Sequence, residues 1–301
     1  MPARVLPFVV LGFGVVVVSF AAILIRFALA EGASSLAIAA IRLTVAAAVL
    51  APFAWLHAGG EMLGLRRREL ALCVLSGSLL ALHFWAWITS LEHTSVASST
   101  ALVTTNPLWV ALASAIFLRE RPGGAAIAGI LLTLAGSALI FAADAGRTGG
   151  LGAAPMLGNL LALTGAISAS GYLLVGRTLR ARVSLTAYIW LAYSTAAVLL
   201  LTAAIATGVS FMSLPPAAWV FMVALALGPQ LIGHTTFNWA LRRLTATFVA
   251  VAILGEPVGA AILAWLFFEE GFTPLQLIGF VLLLAGIFQA ARDERSREVQ
   301  H

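Results

Sequence analysis

Long apolar runs separated by brief polar breaks follow one another along the whole chain, and each run is close to the 20 or so residues that cross hydrocarbon as a helix. The breaks predict ten helices, over residues 7–29, 35–56, 69–91, 95–118, 124–142, 156–178, 185–207, 217–240, 246–268 and 273–291. Alanine, leucine and glycine dominate the runs, and the in–out alternation of a transmembrane barrel strand is missing. The first run, Leu6 to Leu29, is too long for the apolar core of a signal peptide and lacks a small-residue cleavage site before a polar start. It therefore counts as a helix, and the predicted class is an all-α polytopic membrane protein.

Composition sharpens this picture. Hydrophobic residues make up 61% of the 301 positions and charged residues 10%, more apolar surface than a soluble fold of this length can hide. Cys73 is the only cysteine, so no disulfide, metal or redox framework is expected, and no cofactor. Its ordinary reading is a small buried apolar residue. All 17 basic residues are arginine, as a GC-rich bacterial genome would encode, and this points to a bacterial cytoplasmic (inner) membrane.

The arginines also orient the chain. With the N-terminus inside, the cytoplasmic ends receive Arg4, Arg66 to Arg68, Arg119, Arg121, Arg177, Arg180, Arg182, Arg242, Arg243, Arg292, Arg295 and Arg297. Arg147 and Arg26 fall on the outer side, and Arg42 lies within a span. The positive-inside rule thus predicts that both termini are cytoplasmic. These charges punctuate apolar runs and form no basic face for nucleic acid; Arg66 to Arg68 is an orientation signal beside anionic lipid.

A shift of 150 residues lays the second half on the first. Asn106-Pro107 meets Glu256-Pro257, Glu120 meets Glu270, and Gly129 and Gly136 meet Gly279 and Gly286. The predicted units are 1–144 and 145–301, each with five spans. Five is odd, so the second unit enters the membrane from the opposite side. Inverted repeats around a pseudo-two-fold axis in the membrane plane are a transporter architecture, with the solute site near the midplane between the halves.

The segment Ala240-Leu-Arg-Arg-Leu-Thr-Ala246, the pair Glu256-Pro257, the acidic Phe268-Glu-Glu270 and Leu284-Ala-Gly286, taken in order and duplicated, resemble tandem EamA modules of the drug/metabolite transporter superfamily. That resemblance implies ten helices around a cavity lined by the first, third, fourth, sixth, eighth and ninth, with small polar or aromatic solutes as cargo. The aromatic run HFWAW at 83–87 and the general likeness are similar to the YddG-type aromatic amino-acid exporters. Other members of the family move other metabolites or drugs.

Polar groups deep in hydrocarbon are costly and normally face a cavity or a partner, so they are the candidates. Glu256 sits near mid-span, and Pro257 removes a helix hydrogen bond, which predicts a kink. Gly255 and Gly259 would let a neighbouring helix approach and satisfy freed carbonyls. Glu256 is either a structural carboxyl or a proton-coupling or ammonium-binding group; Asn106, beside Pro107, favours a shared hinge role because an amide does not titrate. His83 and Trp87 share one helix face, either as an aromatic wall or as a bonded histidine plus an interfacial tryptophan. Gln230, His234 and Phe237 or Asn238 form a polar ridge. Tyr172 with Ser168, and Ser19 with Phe20, are weaker wall candidates, since membrane serines often bond their own helix. Arg42 or Arg26 pairs with Glu31 or meets a solute carboxylate.

Enzyme motifs are absent: there is no HExxH, G-x-S-x-G or Walker sequence. The expectation is a non-enzymatic secondary transporter whose substrate-binding residues are His83, Trp87, Tyr172, His234, Asn238 and Ser19, with Glu256, Pro257, Asn106 and Pro107 as coupling or hinge positions. Its cargo would be amino acids including aromatic ones, and protons a possible coupling ion. A channel, a membrane scaffold and an intramembrane hydrolase are the competing classes; oligomeric state is not encoded legibly.

Overall fold

The computed structural model describes residues 5–93, 99, 102–103, 105–118, 123–145, 154–268 and 273–300. Glu120, Arg119, Arg121, Arg147 and the pair Glu269-Glu270 lie outside them. Among the described residues the chain is helical, with seven helices long and apolar enough to cross a membrane and three shorter apolar ones. They are α1 (Leu6–Ala30), α2 (Ser35–Gly64), α3 (Arg67–His93), α4 (Asn106–Ala113, extended by a π-helical turn Ser114–Leu118), α5 (Gly124–Ala145), α6 (Pro155–Arg180) and α7 (Leu185–Ala206). The chain continues with α8 (Pro216–Leu225, π-helical Ala226–His234, Thr235–Ala240), α9 (Ala246–Ile253, then Glu256–Phe268) and α10 (Pro274–Gln300).

The predicted spans agree in order with these helices and differ at ends and breaks. Helix α2 runs to Gly64 and α10 to Gln300, past the ends at 56 and 291 that hydropathy gave. A helix does not stop where its apolar stretch stops, because alanine, glutamate and arginine propagate it into water. The expected kink in the ninth span is a full interruption, with Leu254 and Gly255 forming a turn between two segments.

The duplication is visible in local structure. Ser34 caps α2 by accepting from the Ala37 amide at 3.2 Å, and Ser184, 150 positions on, caps α7 by accepting from the Ala187 amide at 3.2 Å. It is also visible in packing. Helix α3 lies along α6 as α8 lies along α1, and α4 touches α6 as α9 touches α1. The pairs α2–α7, α4–α9 and α5–α10 each map onto themselves.

The α5–α10 pair fixes the relative direction of the halves. A Cβ on Gly129 would lie 2.7 Å from the Gly286 carbonyl oxygen, and one on Gly136 would lie 2.5 Å from the Gly279 oxygen. Advancing seven residues along one helix retreats seven along the other, so these two equivalent helices run antiparallel. With little hydrophobic drive between helices in lipid, such close backbone approach is what holds them. Large apolar side chains such as Leu56, Phe117, Ile205 and Phe288 are exposed on the outside, as a lipid-facing surface requires.

Candidate solute site between the halves

In both halves a turn precedes an X-Pro pair at the same repeat position. In α9 the Leu254 and Gly255 amides turn back to Val251 and Ala252 at 3.1 and 3.0 Å, and Glu256-Pro257 opens a new segment. In the first half Thr105 turns back to Leu102 at 3.2 Å, and Asn106-Pro107 opens α4. Proline tolerates the first turn of a helix, where its missing amide would be unpaired anyway, so each X-Pro pair starts a segment inside the bundle.

A serine from the other half braces each start. Ser19 of α1 donates to the Glu256 carbonyl at 3.4 Å and to its own Val15 carbonyl at 2.9 Å. Ser170 of α6 donates to the Asn106 carbonyl at 3.2 Å and to Ala166 at 2.8 Å. Gly259 makes room for this, since a Cβ there would meet Ser19, and thus Gly255 and Gly259 do permit the approach. The accepting carbonyl belongs to Glu256 itself, not to the residue four before the proline. Ser19 is consequently a buried contact between α1 and the second segment of α9, and Phe20, beside it, is 39% exposed.

The third and eighth helices bring the aromatic and imidazole groups together. His83 Nδ1 donates to the Gly165 carbonyl of α6 at 3.0 Å, which sets the proton on Nδ1 and leaves Nε2 available. Its ring stacks on Trp87 at 5.9 Å and 11°, so Trp87 belongs to the His83 face and packs against Gly165. Phe84 touches His83 at 4.8 Å and His234 at 5.3 Å, and thereby joins the two walls. His83, Trp87, His234 and Glu256 are half-buried.

Behind this wall the groups are fully enclosed. Asn238 is 0% exposed and donates from Nδ2 to the Tyr172 hydroxyl and to the His234 carbonyl. It therefore holds Tyr172 and the His234 backbone in place, and Tyr172, 2% exposed, stacks on Tyr188 at 6.4 Å. Ser168 is buried as well. Arg42 pairs with Gln230 and not with Glu31: Nε donates to Gln230 Oε1 at 2.8 Å. Its guanidinium carbon lies 4.0 Å from the Phe84 ring centre.

Two features escaped the reading of the sequence. The stretch Ala226–His234 is π-helical, so Gln230 and His234 are carried on a widened turn. Pro229, which cannot donate to the carbonyl four residues back, is the signal that was present. The second is the Arg42–Gln230–Phe84 cluster, which joins residues as far as 188 positions apart. Arg42 within an apolar run and Gln230 on the polar ridge were its traces, with nothing to join them.

The family model for the EamA-like transporter family matches residues 7–142 and again 156–291. The chain belongs to the EamA-like transporter family. Its two EamA matches cover the halves whose packing repeats above, and members of this family are transporters. Similar proteins include a "Probable terminal-alkyne amino-acid exporter" of Streptantibioticus cattleyicolor, 28% identical over 68% of this chain and 67% of the relative. The "Uncharacterized transporter YxxF" of Bacillus subtilis is 24% identical over 80% of this chain and 76% of the relative. A solved crystal structure superposes on this EamA chain with a TM-score of 0.80, covering 98% of it and 100% of the other chain at 23% identity, a likeness of fold.

Proposed function

We propose that this EamA protein is a secondary transporter that exports or exchanges amino acids, aromatic ones included, by alternating access across a bacterial cytoplasmic membrane, with both termini inside. The observations that support the reading are the two X-Pro helix starts, Asn106-Pro107 and Glu256-Pro257, one from each half, and the half-buried His83, Trp87 and His234 joined through buried Phe84. Interrupted helices at the meeting of inverted repeats give a carrier its solute site and its flex points together. The aromatic and imidazole faces suit a planar side chain, and the relative named as an amino-acid exporter supports that class.

Counterflow in proteoliposomes tests this, with amino acids, nucleotide sugars and cationic drugs offered in parallel. Tryptophan, tyrosine or phenylalanine should exchange fastest. Exchange of another class with no amino acid moved would overturn the cargo; no exchange of anything would overturn the carrier. Loss of the His83–Trp87 stack, in His83→Ala or Trp87→Ala, should lower the apparent affinity for aromatic over aliphatic amino acids by about 3- to 10-fold.

Glu256 is the candidate proton carrier. In Glu256→Gln, uptake driven by an imposed pH gradient should fall about tenfold while counterflow stays within about twofold of wild type. Unchanged gradient-driven uptake would take Glu256 out of the coupling role and leave it as the hinge group that Asn106 already is.

A further inference from the structure

We infer that the Arg42–Gln230 pair is a receptor for a carboxylate, so that the cargo of the site proposed above must carry one; this rests on the transporter reading and narrows it. Two contacts fix the guanidinium plane, the Nε bond to Gln230 Oε1 at 2.8 Å and the Phe84 ring at 4.0 Å. Nη1 and Nη2 have no hydrogen-bond partner, although Arg42 is 0% exposed. Gln230 is equally buried, and its Nε2 has none either. The one bond that joins these two side chains therefore holds together three enclosed donors with no acceptor. A buried donor left unpaired costs free energy, and a guanidinium more than an amide, so a set of three is explained by an acceptor that arrives from outside.

Among the described residues the protein does not supply that acceptor. No hydrogen bond joins the Glu256 side chain to Arg42 Nη1 or Nη2. The Tyr193 hydroxyl is engaged by the Gln230 carbonyl at 3.5 Å and Thr235 at 3.4 Å, and the Tyr172 hydroxyl by Asn238. Glu31 is exposed at the α1–α2 turn.

The geometry also selects the anion. A guanidinium presents Nη1 and Nη2 as a planar two-point edge matched to the two oxygens of a carboxylate. Arg42 supplies one positive charge, which suits a monoanion or a zwitterion better than a phosphate dianion. Phe84, which carries the Arg42 guanidinium at 4.0 Å, also meets the rings of His83 and His234 at 4.8 and 5.3 Å, so the receptor adjoins the aromatic groups. A solute with its carboxylate on Arg42 would lay its side chain toward Phe84 and His83, and an ammonium would lie on the side of Glu256. Gln230 acts as a positioning residue through Arg42 Nε and as the third donor.

Calorimetric titration of the full chain in lipid nanodiscs tests this with three matched probes: L-phenylalanine, 3-phenylpropionate and phenethylamine. The two carboxylates should bind, and phenethylamine should bind at least about 30-fold more weakly. In Arg42→Gln the carboxylates should fall to the level of the amine; Arg42→Lys, which keeps the charge but not the fork, should recover part of the difference. Size-exclusion elution checks that the variants are folded, and the wild-type ranking needs no variant. Phenethylamine binding as well as 3-phenylpropionate, or an unchanged ranking in a folded Arg42→Gln, overturns the inference. If 3-phenylpropionate binds and L-phenylalanine does not, the receptor stands and the amino-acid cargo falls. If amines or uncharged solutes lead the counterflow screen and no carboxylate binds, the receptor falls and the carrier stands.

Discussion

Along the α5–α10 seam the duplication is kept in the glycine contacts: Gly129 sits on Gly286, Gly136 sits on Gly279, and the shift of 150 exchanges the two. In the proposed solute site the same shift sets Arg42 against Ala192, Gln230 against Leu80, His83 against Gly233, His234 against Phe84, and Glu256 against Asn106. Each titratable or donor-rich group has a copy that cannot do its chemistry. The difference teaches where symmetry is useful. A seam needs two helices to approach equally from both sides, and any duplicated glycine serves. A solute is not symmetric, so a site that holds one end by charge and the other by aromatic contact must depart from the repeat.

The comparison breaks most completely if the halves are not inverted. Glu31 and Ala181 are equivalent under the shift and both exposed, while Cys73 is buried and should be silent. Single cysteines introduced as Glu31→Cys and Ala181→Cys should react with an impermeant maleimide from opposite sides of intact cells or oriented vesicles. Glu31→Cys should label from outside and Ala181→Cys only after permeabilisation, an all-or-none contrast. Labelling of both from one side would end the inverted reading and, with it, the pairing of the two hinges.

A smaller but still large effect is expected at the seam. Gly136→Ala and Gly286→Ala would each drive a methyl group to within 2.5 and 2.6 Å of the facing carbonyl oxygen. Backbone atoms cannot step aside as a side chain can, so each should cost about 2–3 kcal/mol. Because the two positions are copies, their losses should agree within about 0.5 kcal/mol. Thermal unfolding of the detergent-solubilised protein reads this, with Gly124→Ala as a control, since nothing lies within 4 Å of a Cβ there. Unequal losses would show that the seam is less symmetric than its contacts.

The sequence made the seam legible and the chamber only partly so, for a physical reason. Helix number, the repeat and the paired X-Pro starts depend on local hydropathy and on spacing, both of which are written along one strand of text. His83 and Trp87, four apart on one helix, could be joined in the same way. The bond from Arg42 to Gln230 could not, because it depends on how α2 and α8 meet, and the π-helical turn sets which way Gln230 points. Asn238 and Ser19 were expected to bind substrate because they are polar at depth, but polarity alone does not tell a wall from a brace. Their hydrogen bonds to Tyr172 and to the Glu256 carbonyl make that distinction.

The smallest predicted effect separates hinge from chemistry. Ser19 and Ser170 each brace the start of the opposing fourth segment, and each also bonds its own helix, so removal of either hydroxyl leaves the accepting carbonyls within reach of helix amides. Ser19→Ala and Ser170→Ala should therefore cost no more than about 0.5–1 kcal/mol apiece. The two serines are one position out of register under the shift of 150, which sets Ser19 against Ala169 and Phe20 against Ser170; if the two braces are nonetheless equivalent in use, the variants should change the counterflow rate by the same factor, and the double variant should give the product of the two. The residue beyond the Ser19 bond carries a carboxylate and the one beyond the Ser170 bond an amide. A Ser19→Ala effect several times larger than that of Ser170→Ala would mean that movement at Glu256 is tied to its charge, and the hinges would then belong with the asymmetric chamber.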